Sequence, residues 1–136
     1  MHINFLMNPV YDGWSPKDNR LGGTEESVVK WAEGLYNLGH SVRVYMNGFT
    51  GSYKQVVYRD RNEYNGGGDV CVNIKSGDIA PKEPTAYLTN ETDANELDLS
   101  AYDCVIFPST WAKYNIKVNN ENVYILPHGY DPETIY

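Results

Sequence analysis

The N-terminal part of the chain places a strand, a helix and a second strand in an order that restricts the fold of the whole chain. Ile3–Met7 is a short apolar run that ends in an Asn-Pro pair, which is typical of a buried strand. Between Thr24 and Leu38, apolar residues recur at helical spacing, and Gly39 supplies the stop. Ser41–Met46 alternates in polarity and predicts a second strand.

The rest of the chain repeats this alternation of strands with helices or long connections. The further predicted strands are Val56–Arg59, Val70–Ile74, Ala86–Asn90, Asp103–Ser109 and Val123–Gly129, and the further predicted helices are Asp93–Leu97 and Thr110–Val118. The alternation predicts an α/β fold with a Rossmann-like open, mostly parallel sheet and helices on both faces. The length of 136 residues suits one domain, residues 1–136.

Charge and composition exclude several classes of partner. The formal net charge is −7, whereas nucleic-acid binding needs a basic face, so no nucleic-acid partner is expected. No segment is long enough to span a bilayer, and the first residues lack the positive lead of a signal peptide. Cys71 and Cys104 lie in apolar runs and are expected to be buried free thiols of a reducing compartment. A cytoplasmic protein is therefore predicted.

Polar clusters follow directly after the predicted strands. Because ligands bind outside the carboxyl ends of the strands in an open parallel sheet, we expect these clusters to meet at one rim. The clusters are 8–23, 75–78, 90–93, 108–110 and 128–129. The three histidines are far apart and show no metal spacing, so no metal site is predicted.

Gly22 and Gly23 directly precede the first predicted helix. One interpretation is a tight turn followed by Thr24 as N-cap. The other is that the glycines let a phosphate or a sugar approach the backbone at the helix N-terminus, although Glu25 and Glu26 there oppose a strongly charged ligand. The local pattern favours the tight turn, because glycine before a helix is common.

Two further strand exits carry candidate residues. A carboxylate such as Glu91, or the neighbouring Asn90, can act on a hydroxyl at the end of its strand. The alternative there is a helix start in which Thr92 is the N-cap. His128 and Gly129 lie at the last predicted exit, whereas Ser109 lacks the context of a hydrolase nucleophile.

Three segments, in this order, resemble the signature of family 4 glycosyltransferases of the GT-B fold. They are GGTEESVVKWAEGLYNLGHSVRVY, VIFPSTWAKYN and VYILPHGYDPETIY. The resemblance covers most of the chain except about 46–83. It implies a retaining enzyme that moves a hexose from a nucleotide-diphosphate sugar to a hydroxyl acceptor, with no bound cofactor.

Site roles follow from the same resemblance. The Gly-Gly loop, here Gly22, Gly23 and Thr24, lies at the cleft near the phosphates and sugar of the donor. The N-terminal half usually binds the acceptor, so the resemblance implies acceptor-side roles for Asn8, Asp12, Trp14 and Asn90. The convergence of the strand ends, independently of the resemblance, predicts a cleft rim at Ser109, Thr110, His128 and Gly129. The chain departs from the family at one strand exit, because many members place a His near the end of the strand that corresponds to Ala86–Asn90, and this chain has none there. Asn90 and Glu91 are the catalytic candidates from their place at the strand exit.

The resemblance also implies partners outside these residues. Enzymes of this fold hold the nucleotide in a second Rossmann-like domain with paired glutamates, which we expect in cis or as a separate subunit. Peripheral membrane association is expected only of such a complete enzyme. Two alternatives are a non-catalytic module that binds a glycan or a partner, and a flavodoxin-like nucleotide protein.

Overall fold

A computed structural model describes residues 1–89 and 98–126, which form one sheet with two α-helices. The strands are β1 (His2–Met7), β2 (Ser41–Met46), β3 (Gly51–Tyr53), β4 (Val56–Asp60), β5 (Val70–Ile74), β6 (Thr85–Leu88), β7 (Cys104–Phe107) and β8 (Val123–Ile125). The helices are α1 (Gly23–Asn37) and α2 (Thr110–Asn115), with a short 3₁₀ helix at Arg61–Glu63.

The strand order is β3-β4-β2-β1-β5-β6-β7-β8, and the strands are parallel except for β3, which pairs antiparallel with β4. The chain builds the sheet outward from β1 towards β3, and then from β5 in the opposite direction towards β8. The order therefore reverses between β1 and β5. In open α/β sheets, this reversal opens a crevice at the carboxyl ends of the two central strands.

The two helices cover opposite faces of the sheet. On one face, α1 buries Val28 and Ala32 in a core cluster that includes Phe5 of β1. On the other face, α2 buries Ala112 and Ile116 in a cluster of their own. The strand register assigns the second cluster to that face, because Leu6, which follows Phe5, aligns across the sheet with Tyr87 and Val105. The predicted Rossmann-like sheet with helices on both faces is confirmed.

Most predicted strands and helices are present at the predicted positions, and several of them end earlier than predicted. Helix α1 begins one residue earlier than predicted, so Gly22 is its N-cap and the prediction of Thr24 in that role is wrong. Strand β3 was not predicted. The predicted helix Asp93–Leu97 lies outside the described residues.

The two cysteines differ in their surroundings. Both are free, but Cys71 is buried whereas Cys104 is only partly buried, so the prediction of two buried thiols holds for Cys71 alone. Burial raises the pKa of the Cys71 thiol to about 12, which keeps it protonated near neutral pH. Within the part of the chain that the structure describes, no helix has the length and apolarity needed to cross a membrane.

Candidate functional site

The carboxyl ends of the central strands meet at one edge of the sheet, beside the point where the strand order reverses. Asn8 follows β1, Lys75 follows β5 and Thr89 follows β6. Their backbone amides continue the ladder: Asn8 donates to Ile74 at 3.0 Å, and Lys75 donates to Leu88 at 2.9 Å. The described strand-end clusters therefore share this edge.

The N-terminus of α1 stands at the same edge, with Gly22 and Gly23 exposed. Neither glycine has a positive φ, so the backbone conformation does not require glycine at either position. A Cβ on Gly22 would lie 2.7 Å from Oε2 of Glu25, whose side chain folds back over the N-cap. A Cβ on Gly23 would meet nothing within 4 Å, so the surface at Gly23 is unobstructed.

A lysine supplies positive charge next to this helix start. The Nζ of Lys75 donates a hydrogen bond to Oγ1 of Thr24 at 3.1 Å and lies 5.8 Å from the ring centroid of Tyr11. The Tyr11 hydroxyl also donates to Thr24 Oγ1, at 3.5 Å. Among the described residues, no carboxylate forms an ion pair with Lys75.

Lys75 is in an unfavourable position on two counts. Its φ of +58° is left-handed, a conformation that costs a residue with a Cβ roughly 1–2 kcal/mol. Its ammonium also lies near the positive end of the α1 dipole, where an anion is favoured and a cation is not. A residue that carries both costs at a crevice is a candidate for ligand binding, because strain in proteins concentrates at functional positions.

The turn that carries Lys75 is held by a second group of polar side chains. Arg61, whose side chain is 10% exposed, donates to both carboxylate oxygens of Asp78 at 2.8 and 2.9 Å and to Oγ of Ser76 at 2.6 Å. Partial burial raises the pKa of Asp78, but hydrogen bonds from Ser76 and Arg61, with the charge of the guanidinium, outweigh it and lower that pKa below its usual value.

Two of the predicted acceptor-side residues differ in accessibility. Asp12 is exposed on the loop between β1 and α1. Trp14 is 6% exposed and belongs to the core, with its ring 6.4 Å from that of Tyr58 in an edge-to-face arrangement. The burial of Trp14 removes it from the surface that a ligand can reach in this structure.

Asn8, the third of these residues, links the ends of β1 and β5 by hydrogen bonds. Its Nδ2 donates to the Lys75 carbonyl at 2.5 Å, and its Oδ1 accepts from the Val10 amide at 2.9 Å. Asn8 therefore supports the turn that carries Lys75.

The predicted rim at Ser109 and Thr110 forms the start of α2. Ser109 is the N-cap, and its Oγ accepts from the Ala112 amide at 3.1 Å. Thr110 is exposed. The Ser109 hydroxyl therefore has a structural role as the cap of α2.

Four predicted site residues lie outside the described residues. They are Asn90 and Glu91, which follow Thr89, and His128 and Gly129. The catalytic and C-terminal rim predictions therefore stay predictions.

Chemically, the described part of the site offers an anion a helix start, an exposed glycine, a threonine hydroxyl and a lysine ammonium. The carboxylates of Glu25 and Glu26 in the same turn oppose a strongly charged one. Within residues 1–89 and 98–126, no group of three or more His, Cys, Asp or Glu side chains is arranged to hold a metal ion.

Sequence reasoning marked 75–78 as a rim cluster but did not identify Lys75 as the cation beside α1. It missed Arg61 entirely, and it missed Asn73, whose amide bonds to the Ser76 backbone in the same turn. The signal for Lys75 was its place directly after a buried strand, whereas no local pattern marks Arg61.

The chain matches no protein-family model, and no curated protein or solved structure shows significant similarity to it.

Proposed function

We propose that this chain is the acceptor-side domain of a retaining glycosyltransferase. The complete enzyme moves a hexose from a nucleotide-diphosphate sugar to a hydroxyl acceptor. A second, nucleotide-binding domain completes the cleft, in cis or as a separate subunit. The proposal places the enzyme in the cytoplasm, with peripheral membrane association as a property of the complete enzyme only.

The observation that carries the proposal is the contact of Lys75 with Thr24, the residue after Gly23, beside the reversal of strand order. The open space above Gly23 allows a sugar or a phosphate to approach the backbone. The Lys75 ammonium, 3.1 Å from the Thr24 hydroxyl, adds positive charge at the same place. Glu25 and Glu26 follow in the first turn, so the local charge suits a ligand whose negative charge is shared with another domain.

In the proposed enzyme, the second domain holds the nucleotide, and residues of this chain contact the phosphates and the acceptor. Lys75 contacts a donor phosphate oxygen, and the amides at the start of α1 stabilise the negative charge that grows on the leaving diphosphate. Asn90 or Glu91 acts on the acceptor hydroxyl, as the sequence predicts. Asp12 is exposed on the loop that borders the crevice and belongs to the acceptor side.

A second candidate is a module that binds a glycan or a partner without catalysis. It is favoured by exposed aromatic side chains on α2, where Trp111 is 60% and Tyr114 is 76% exposed. Aromatic faces of this kind pack against the apolar faces of sugars or against a partner surface.

The test is a transfer assay on the chain extended along its natural reading frame past Tyr136. The extended protein is incubated with nucleotide sugars and hydroxyl acceptors, and the release of nucleoside diphosphate and the anomeric configuration of the product are measured. The proposal expects transfer with retention. A reading frame that stops at Tyr136, with no transfer when candidate donor-binding subunits are added, contradicts it and leaves glycan binding as the function to assay.

A further inference from the structure

We infer that Arg61 and Asn73 are positioning residues that hold Lys75 in its left-handed conformation, with its ammonium at the start of α1. The inference rests on the proposed function, because it takes Lys75 as a contact to the donor phosphates. Arg61 lies in the 3₁₀ helix after β4 and Asn73 lies within β5, so neither is marked by a motif at a strand end.

Asn73 closes the turn around Lys75 from within. It is 2% exposed, and both polar atoms of its amide are used. Its Oδ1 accepts from the Ser76 amide at 2.8 Å, and its Nδ2 donates to the Ser76 carbonyl at 3.0 Å. The amide supplies this acceptor and donor from two separate atoms, whereas a carboxylate of the same shape lacks the donor.

Arg61 fixes the same turn to the neighbouring strand. Its Nε donates to the carbonyl of Met7, the last residue of β1, at 2.8 Å. Its Nη2 donates to Ser76, which closes the turn, and to Asp78 two residues further on. The fork of the guanidinium spans these partners in a fixed geometry, whereas a lysine ammonium at the same position is a single point and cannot.

The backbone of Lys75 is held at both ends of the residue. Its amide donates to Leu88 at 2.9 Å, and its carbonyl accepts from Asn8. If this turn served only to change the direction of the chain, glycine would adopt the left-handed conformation at lower cost than lysine. The surrounding contacts therefore impose a left-handed conformation on a residue with a long cationic side chain, and that side chain points to the start of α1.

A double-mutant cycle on the extended enzyme separates positioning from a general contribution to stability. Lys75→Met is expected to raise the donor KM roughly tenfold or more, as for the loss of a charge-assisted hydrogen bond. Arg61→Lys is expected to raise the donor KM in the same direction and to leave the acceptor KM unchanged. Because Arg61 acts through Lys75, Arg61→Lys should add nothing in the Lys75→Met background.

Arg59→Lys is the matched control, because Arg59 is an exposed arginine two residues away whose side chain is 51% accessible. It should leave both KM values unchanged. Equal increases from Arg61→Lys in the presence and absence of Lys75 would overturn the inference, since a merely structural role acts in both backgrounds.

A ligand-free measurement on residues 1–136 tests the positioning by itself. A strong intraresidue HN–Hα NOE of Lys75 reports its positive φ. It should persist in Arg59→Lys and weaken in Arg61→Lys and in Asn73→Asp, each checked for folding by circular dichroism. Persistence of the NOE in both variants overturns the inference. If Lys75→Met nevertheless raises the donor KM, the proposed function still stands. Loss of the NOE with no effect of Lys75→Met on the donor KM would instead support the positioning and contradict the proposed function.

Discussion

Gly23 and Gly34 lie in the same helix, and an added Cβ at either position would meet nothing within 4 Å. Glycine lowers helix stability because it loses more backbone entropy than alanine on folding. Gly34→Ala is therefore expected to raise the free energy of unfolding by about 1 kcal/mol, and Gly23→Ala by less, since it lies in the first turn. Urea denaturation measures both.

The same pair separates stability from function. In the extended enzyme, Gly23→Ala should lower donor turnover because its methyl group enters the space open to the ligand, whereas Gly34→Ala should leave turnover unchanged. Equal turnover in the two variants would contradict a ligand above Gly23.

Lys75 permits a comparable test at a left-handed residue. Lys75→Gly relieves the strain of φ +58° and loses a hydrogen bond to Thr24. The free energy of unfolding should stay the same or rise by up to about 1 kcal/mol. Lys30→Gly, on the exposed side of α1, should lower it by about 1 kcal/mol. If thermal unfolding shows that both variants lose the same free energy of unfolding, Lys75 stabilises the fold and the expectation is wrong.

Asp78 gives the domain a defined dependence on pH. Its pKa is lowered on folding from 3.8, so its contribution to stability is complete above that value and is lost as the pH falls through the lower, folded pKa. Wild type should therefore exceed Asp78→Asn in stability near neutral pH, and the difference should shrink as the pH falls below about 3.8. A difference that is constant with pH in acid denaturation curves would exclude this linkage.

Residue-scale contacts were the least predictable from sequence. Thr24 is a residue type that often caps helices, but α1 begins one residue earlier, at Gly23. The Thr24 hydroxyl instead accepts a hydrogen bond from Lys75, 51 positions away. Trp14 lies in a polar loop and was expected on the ligand side, yet it packs on Tyr58. Both outcomes depend on neighbours that are distant in sequence, and a local pattern does not contain them.

At the scale of elements, Ser109 shows a local signal that specifies structure directly. Its hydroxyl caps α2 at 3.1 Å from the Ala112 amide. Ser109→Ala should lower the free energy of unfolding by about 1 kcal/mol, whereas Ser109→Asp should largely preserve it, because aspartate also caps helices. Calorimetry that finds the alanine variant as stable as wild type would argue against a structural role and return Ser109 to the cleft rim.

Strand β3 shows where local signals are weak. It pairs with β4 through a turn at Lys54 and Gln55, both with positive φ. A two-residue hairpin of this geometry is usually recognised by Asn-Gly or Asp-Gly, and this chain has neither there. By contrast, the buried strands and the amphipathic α1 carry strong periodic signals, and their positions were predicted to within a few residues.

At the scale of the whole molecule, alternation of strands with helices or long connections predicted a mostly parallel sheet with helices on both faces. It did not predict where the strand order reverses, because strand neighbours depend on packing across the sheet. That reversal between β1 and β5 brings Asn8, Lys75 and the start of α1 together, and it makes one crevice from three separate segments.

The proposal also predicts how residues 1–136 behave without a second domain. Nucleotide sugar should barely change the melting temperature of this chain, because the nucleotide is held elsewhere. A shift of the size expected for ligand far above its Kd would mean that this domain binds the donor alone.

The donor KM of the extended enzyme, measured for Lys75→Met against Lys30→Met, tests the central claim most directly. Both variants remove one lysine charge, but Lys30 is exposed in the middle of α1 rather than at its start. The account predicts that Lys75→Met raises the donor KM roughly tenfold or more while Lys30→Met leaves it unchanged. Equal donor KM values in the two variants would contradict a donor site at the start of α1.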